Sequence, residues 1–411
     1  MTFTIYLLQC VAFVDLLAVS LIVPLIASHV RTLGADHVYV GLMGSIYSGF
    51  QLASGPLLGS LSDLKGRKVV LIATLLICGL AYAALGITSS LVVILIIRAC
   101  LGLFKQTQIL TKALVPDYER SEKKQSSIYG KMAAISGIGM TIGPIIGGHI
   151  AEDHPEQAFK LVATVVGVCF IANAGLVYLL PKSISELQQA NKPVKEKIIP
   201  KGIVHKIVSS CKESVLELYK IEWSKYGTIF FFKGLLGFAM SLYYSNYVLY
   251  LKITYALTPK YIGYIISFQG IIGSICSYYM GYINSFYTKD KDYNVRNFHV
   301  FLVLSLSILG LINSFNIYMY ALFLIPLAIG NAVGRLVTLE MILKISHNKH
   351  RAALIGASNS VRSLSGVVAP IVAGLVGQYY SVQHVVYVTF FVVTLGSLAS
   401  YRHKNKRIKQ D

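Results

Sequence analysis

Charged residues are scarce in this chain, and several sit where charge is expensive. Asp15, Arg98 and Lys233 each fall inside a long apolar stretch. A charge at that depth is costly unless it is paired or faces water, so such residues are candidates for binding a proton or a solute. A second group is compact: Gly59, Leu61, Asp63, Gly66, Arg67 and Lys68 lie within ten residues, between two apolar stretches. Gly66 permits a tight turn there and Gly59 lets neighbouring helices approach. Asp63 sits at the end of the second apolar stretch. Arg67 is placed to meet an acid near the end of the fourth apolar stretch, Asp117 or Glu119. Such bonds latch and release; they break no covalent bond. A third group is a small-residue face, Gly139, Gly143, Pro144, Gly147 and Gly148. Small residues at this spacing let another backbone slide past, and Pro144 frees one hydrogen bond for a hinge.

No nucleophile–base pair, metal-ligand spacing or G-x-x-x-x-G-K-S/T loop accompanies these groups. An enzyme is therefore not expected, nor a cofactor, a metal or ATP coupling. His347 and His350 read as part of a solvated basic loop, and the six cysteines give neither a disulfide framework nor a zinc site.

The elements that position these residues must be membrane helices. The chain has 411 residues, 55% hydrophobic and only 13% charged, with mean hydropathy +0.63. A soluble globule, at about 25% charged, is excluded. Twelve apolar stretches are long enough to span a bilayer. They lie near residues 5–27, 39–61, 69–87, 90–110, 126–150, 159–180, 227–250, 260–283, 298–315, 318–343, 352–378 and 385–401. Backbone groups in hydrocarbon must bond internally, so each is a helix. The first is a retained span, since no Lys or Arg precedes Arg31.

The net charge of +19 orients these spans rather than recruiting nucleic acid. Alternate loops, counted from the segment at 64–68, carry 28 basic residues; the others carry three, Arg31, Lys252 and Lys260. Both termini and the central linker are therefore expected on the cytoplasmic side. The linker, 181–225, separates a six-helix bundle at 1–180 from another at 226–401, with a basic tail at 402–411. The halves echo one another. Gly41 and Gly59 recur as Gly263 and Gly281, and Pro144–Gly148 as Pro370–Gly374. Parallel repeats of this kind are a secondary-transporter plan.

These groups resemble motifs of one family. Gly59-Ser-Leu-Ser-Asp63-Leu-Lys-Gly66-Arg67-Lys68 resembles the G-x-L-x-D-R-x-G-R-R/K motif of the major facilitator superfamily, departing at Leu64. Gly139–Gly148 resembles its G-x-x-x-G-P-x-x-G-G motif. Arg98 with Gly102 resembles its R-x-x-x-G pattern, with Leu101 where many proton-coupled relatives carry Gln. Asp15 to Pro24 resembles the first-helix motif of drug–proton antiporters, with Ala18 and Ser20 replacing glycines. The segment Phe104–Asp117 is similar to the branch called major facilitator superfamily domain-containing protein 9.

The resemblance implies an all-α integral membrane protein with twelve transmembrane helices in two pseudo-symmetric six-helix bundles. It implies a monomer in lipid that moves a small-molecule substrate by alternating access, with protons as candidate coupling ions. Asp63 would close against the start of span eleven, near Arg351–Ala352. Asp15 would be a protonation site, a partner of Arg98 or a structural hydrogen-bond acceptor. Arg98 would face the cavity or hold helices together in a buried ion pair. For Lys233, a turn or two inside its span, exposure to the cavity stays open. Arg335 and Glu340 read as snorkelling residues near a helix end. Tyr243, Tyr247 and Tyr250 share one face of span seven and read as an interfacial belt before a substrate path. A receptor or scaffold that kept the fold is the alternative, since Ser285 stands where Asp63 would repeat. A membrane enzyme or lipid scramblase would want a buried carboxylate or histidine cluster at one interface, which the sequence does not offer.

Overall fold

The computed structural model describes residues 2–181, 223–288, 290, 292–345 and 351–408. His347, His350 and nearly all of the central linker lie outside the described residues. Everything described is helix or short connection.

Six membrane crossings precede the linker. They are α1 (Thr2–Thr32), α2 (His37–Lys65), α3 (Arg67–Ile87), an interrupted fourth, α7 (Glu122–Asp153) and α8 (Ala158–Tyr178). The fourth runs as α4 (Leu91–Phe104), α5 (Thr107–Ala113) and α6 (Val115–Tyr118). Six more follow it: α9 (Trp223–Tyr255), α10 (Pro259–Tyr278) continued by α11 (Met280–Ser285), α12 (Asn294–Ile312), α13 (Ile317–Ile345), α14 (Arg351–Tyr379) and α15 (Val382–Ile408). Each of the twelve expected spans finds its helix. Ten helical stretches among the described residues are long and apolar enough to cross a membrane on their own. The first and second crossings of each half differ in this respect: α2 and α10 are diluted by Ser, Gly, Gln and Tyr, which suits helices with a polar face.

The fourth crossing reaches Tyr118, well past the expected end at 110. Its ladder breaks at Lys105 and Gln106, and α2 repairs it. Gln51 Nε2 donates to the freed Lys105 carbonyl at 3.3 Å, and Gln106 Nε2 donates to the Gln51 carbonyl at 2.7 Å. Ser54 Oγ donates to the Gly102 carbonyl at 3.2 Å. Non-helical backbone is tolerated at membrane depth only when protein groups satisfy it in this way.

The chain packs as two compact units, residues 1–26 with 50–216 and residues 27–49 with 217–411. In the first, α3 lies along α8, with Tyr82 stacked on Phe170 at 5.3 Å. In the second, α9 packs on α14 and α15, and α12 on α13 and α15. The second unit also takes in the end of α1 and the first half of α2. There a Cβ at Gly41 would stand 2.2 Å from the Pro370 carbonyl oxygen, and one at Gly374 would stand 2.6 Å from the His37 carbonyl. Only glycine allows that approach.

Candidate functional site

In the first unit the buried charge is answered. Asp15 on α1 and Lys105 at the α4 break are both almost fully buried, with Nζ 2.7 Å from Oδ1. Thr107 Oγ1 donates to the same oxygen at 2.5 Å, and Gln108 Nε2 donates to Oδ2 at 2.9 Å. The break in the helix turns Lys105 inward, and the first turn of α5 brings Thr107 and Gln108 after it. Arg98, expected as a partner of Asp15, is buried on α4, and the ion pair that Asp15 makes among the described residues is with Lys105. Lys105, inside the expected span at 90–110, is therefore the counter-charge in place of Arg98.

The face Gly139, Gly143, Gly147 rests on α1. Added Cβ atoms there would meet the Phe13 carbonyl at 2.8 Å, Ser20 Oγ at 1.9 Å and the Leu21 carbonyl at 2.3 Å. Ser20 Oγ donates to the Gly139 carbonyl at 3.1 Å, and Ser136 Oγ to the Ala12 carbonyl at 3.1 Å. Pro144 lies within the same helix. The face that resembles a hinge thus abuts the helix that carries Asp15.

The loop between α2 and α3 holds its expected geometry in part. Arg67 reaches Asp63 at 3.0 Å, Asp117 at 3.2 Å and the Ala113 carbonyl at 2.7 Å. Asp117, not Glu119, is the fourth-span acid; Glu119 instead accepts from the Ser121 backbone N–H at 3.0 Å. Gly66 has φ +99°, a conformation that favours glycine. Lys68 donates to the Leu180 carbonyl. At Gly59 a Cβ would meet nothing within 4 Å, so close packing does not explain that glycine here.

The second unit carries a counterpart that the sequence reading missed. Arg296, the first-turn arginine of α12, donates to Asp290 Oδ2 at 3.2 Å and to Asn284 Oδ1 at 2.7 Å. Asn284 Nδ2 in turn lies 3.4 Å from Glu340 Oε1 on α13. Ser285 has lost the acid, but its neighbour Asn284 keeps the bridge. Glu340 is thus part of a protein network rather than a snorkelling residue.

Tyr243, Tyr247 and Tyr250 are buried, at 3%, 4% and 5% exposure. Tyr243 and Tyr320 share a hydroxyl–hydroxyl bond of 2.6 Å, and Tyr250 packs on Tyr320 with ring centroids 5.9 Å apart. A belt facing headgroups would be exposed, so that expectation is corrected: this face is part of the second unit's interior. Lys233 lies deeper on α9, half-buried.

Where α2 begins, Asp36 Oδ1 accepts from the Tyr39 backbone N–H at 2.6 Å, and Gln378 Oε1 from the His37 N–H at 3.1 Å. Ser45 Oγ donates to the Val367 carbonyl at 2.6 Å. An open cavity of about 620 Å³ lies beside this seam, lined by Arg31, Asp36, His37 and Gln378 among others. His37 stands before the expected span. Partial burial, with Arg31 beside it, holds its imidazole below the usual value, while Asp36 pulls the other way.

The Major Facilitator Superfamily model matches residues 8–289. The chain belongs to that superfamily. It is 26% identical over 218 residues to the class E tetracycline resistance protein of Escherichia coli, covering 52% of this chain and 51% of that protein. It is 23% identical over 276 residues to the quinolone resistance protein NorA of Staphylococcus aureus, covering 67% and 65%. The superfamily chain thus spans about half to two thirds of these curated relatives. Among solved structures, a bacterial homolog of the human lysosomal transporter Spinster superposes with TM-score 0.79 at 10% identity, covering 98% of this chain and 97% of that one. The nucleoside transporter NupG gives 0.73 at 12%, covering 97% and 98%. At such identities the superposition establishes the fold, two six-helix halves of a multi-pass membrane protein.

Proposed function

We infer that this superfamily member is a secondary active transporter that carries a small solute by alternating access. Both termini and the linker face the cytoplasm in this reading, which the distribution of basic residues supports. The observation that carries it is the seam between α2 and α14. The outer half of a first-half helix is knitted to a second-half helix by Gly41, Ser45 and Gly374, while the inner half of α2 belongs to the first unit. A seam confined to half of a helix is what an outer gate closed over a pathway would look like.

Asp63 supports the opposite gate. Its side chain is 62% exposed and held by Arg67 alone among the ion pairs of the described residues, so it can leave Arg67 and close against the start of α14 in the other state. Asp15 is the candidate proton carrier. Lys105, Thr107 and Gln108 hold its side chain between α1 and the break in the fourth crossing. The names of the tetracycline and quinolone resistance proteins suggest organic solutes of drug size. The segment Phe104–Asp117 supports placement in the branch called major facilitator superfamily domain-containing protein 9.

Uptake of a mixed metabolite extract by proteoliposomes, run with and without a pH gradient, tests the reading. Specific solutes should accumulate in wild-type vesicles and at a rate at least severalfold lower with Asp63→Asn at matched insertion. Ligand binding with no flux would support a receptor instead.

A further inference from the structure

Three cations of the second unit converge with no carboxylate among the described residues paired to them. Lys233 on α9, Arg335 on α13 and Arg362 on α14 stand ten or eleven residues in from the linker-side ends of their helices, at Trp223, Ile345 and Arg351. At 1.5 Å per residue that is about 15 Å for each. The helices meet at this level. A Cβ at Gly234 would lie 3.6 Å from Val361, and one at Gly237 would lie 3.1 Å from Ser365 Oγ and 4.0 Å from the Arg362 Cα. A Cβ at Gly334, next to Arg335, would lie 3.0 Å from Leu236. Lys233 is within electrostatic reach of both guanidinium groups, and Arg362 is within reach of Arg335. No ion pair among the described residues includes any of the three. Arg335 and Arg362 remain exposed. Glu340, further along α13, is turned to Asn284.

Tyr244 adds an independent observation. Its hydroxyl oxygen accepts from Gln269 Nε2 at 2.8 Å and from Asn331 Nδ2 at 3.1 Å. A phenol oxygen both accepts and donates, and here the two amides use it as acceptor, which leaves its O–H to donate. Asn331 is one turn before Arg335, and the Arg335 charge acts on this hydroxyl. The Tyr244 side chain is 40% exposed, with Tyr243 and Tyr247 packed against it at 5.3 and 6.2 Å between centroids.

Gathering three like charges costs free energy, and snorkelling cations on separate helices would diverge toward headgroups instead. Convergent cations with no ion-pair partner among the described residues, beside a phenol hydroxyl, are the complement of a negative group. We propose that Lys233, Arg335, Arg362 and Tyr244 form the recognition site for a small organic anion, a carboxylate, sulfonate or phosphate carried on an aromatic or apolar body. The guanidinium forks hold the anion in two-point contact, Lys233 supplies a point charge, and the exposed Tyr244 ring takes the apolar body. Movement of the anion rests on the transporter reading; its binding does not.

The full chain in phosphatidylcholine vesicles provides the test. The probes are 2-naphthoate, neutral 2-naphthamide and the cation 2-naphthylmethylammonium, each measured for binding and for uptake. Naphthoate should bind saturably and at least tenfold more tightly than either isostere. Arg335→Gln and Arg362→Gln should each lose about tenfold, Arg335→Lys should recover part, and Arg335→Glu should move preference toward the cation. Unchanged elution and melting midpoints establish that the variants are folded. Naphthoate that does not bind, or binds equally to Arg335→Gln and Arg362→Gln, overturns the proposal. So does displacement of naphthoate by added phosphatidylglycerol, which assigns the cations to a lipid headgroup. Naphthoate binding without uptake keeps the anion site and overturns transport. Uptake of the cation without anion binding keeps transport and overturns the anion site.

Discussion

The two loops that follow the second crossing of each half place an arginine across helix ends, yet they treat it oppositely. Arg67 is about a third exposed and bridges Asp63, itself 62% exposed, to Asp117. Arg296 and Asp290 are both more than 90% buried and are bonded by side chain and by backbone. An exposed ion pair contributes roughly 0.2–1 kcal/mol, so it can break and re-form during a cycle. A buried one costs much more to break from one side, because a lone charge remains. The first loop has the energetics of a latch and the second those of a clamp. The same contrast holds at membrane depth, with the roles of the halves exchanged. The first half cancels Asp15 against Lys105, while in the second no ion pair among the described residues includes Lys233, Arg335 or Arg362. A cancelled pair holds helices together or trades a proton, and an uncancelled cluster waits for a ligand.

The sharpest way to break this comparison is to uncover one charge of a buried pair. Arg296→Ala and Asp15→Asn should each destabilise the protein by about 3–5 kcal/mol in denaturant titrations, since each strands a buried partner. The double variant Asp15→Asn, Lys105→Gln should recover most of that loss, and a double variant as unstable as the single one would deny the pair. Next come the glycine faces. Gly147→Val forces a side chain into the Leu21 backbone and should cost about 1–3 kcal/mol, whereas Gly59→Ala should be neutral or stabilising by roughly 0.5–1 kcal/mol, both read from melting curves. Arg67→Ala should be milder than Arg296→Ala, about 1 kcal/mol in the same titration; equal costs would erase the distinction between latch and clamp. The smallest effect concerns His37. Its lowered value means the neutral ring is favoured in this state. The stability it lends the seam is full above its ordinary value near pH 6.5 and fades as pH falls through the lowered one. Labelling of a single cysteine placed at Ser45 should therefore accelerate modestly below about pH 6, and His37→Gln should remove that acceleration.

Apolar runs and basic loops made the twelve crossings legible, because the bilayer imposes length and the charge rule imposes direction. The motif at Asp63 and Arg67 was legible because turn, charge and spacing lie in one short segment, and Asp117 was one of two acids within reach. Lys105 was not. Its inward turn depends on Gln51, Ser54 and Asp15 from other helices, which the run of residues around it does not show. The tyrosines failed for a related reason: helical spacing shows that Tyr243, Tyr247 and Tyr250 share a face, but it does not say that the face meets Tyr320 rather than lipid. Arg335 read as a snorkelling residue when its helix was taken alone, and only its neighbours on α9 and α14 give it company. The echo of Asp63 in the second half moved one residue, to Asn284, and changed from charge to amide, which a search for an acid passes over.

The claim beneath all of this is that the α2–α14 seam opens and closes during transport. Ser48 and Gly366 offer the direct test, since a Cβ at Gly366 would lie 3.6 Å from that of Ser48, within the range a disulfide needs. In a background without the native cysteines, Ser48→Cys with Gly366→Cys should form a disulfide that abolishes solute uptake by proteoliposomes, and reduction should restore it. Uptake that continues at the full rate with the disulfide intact would contradict the account.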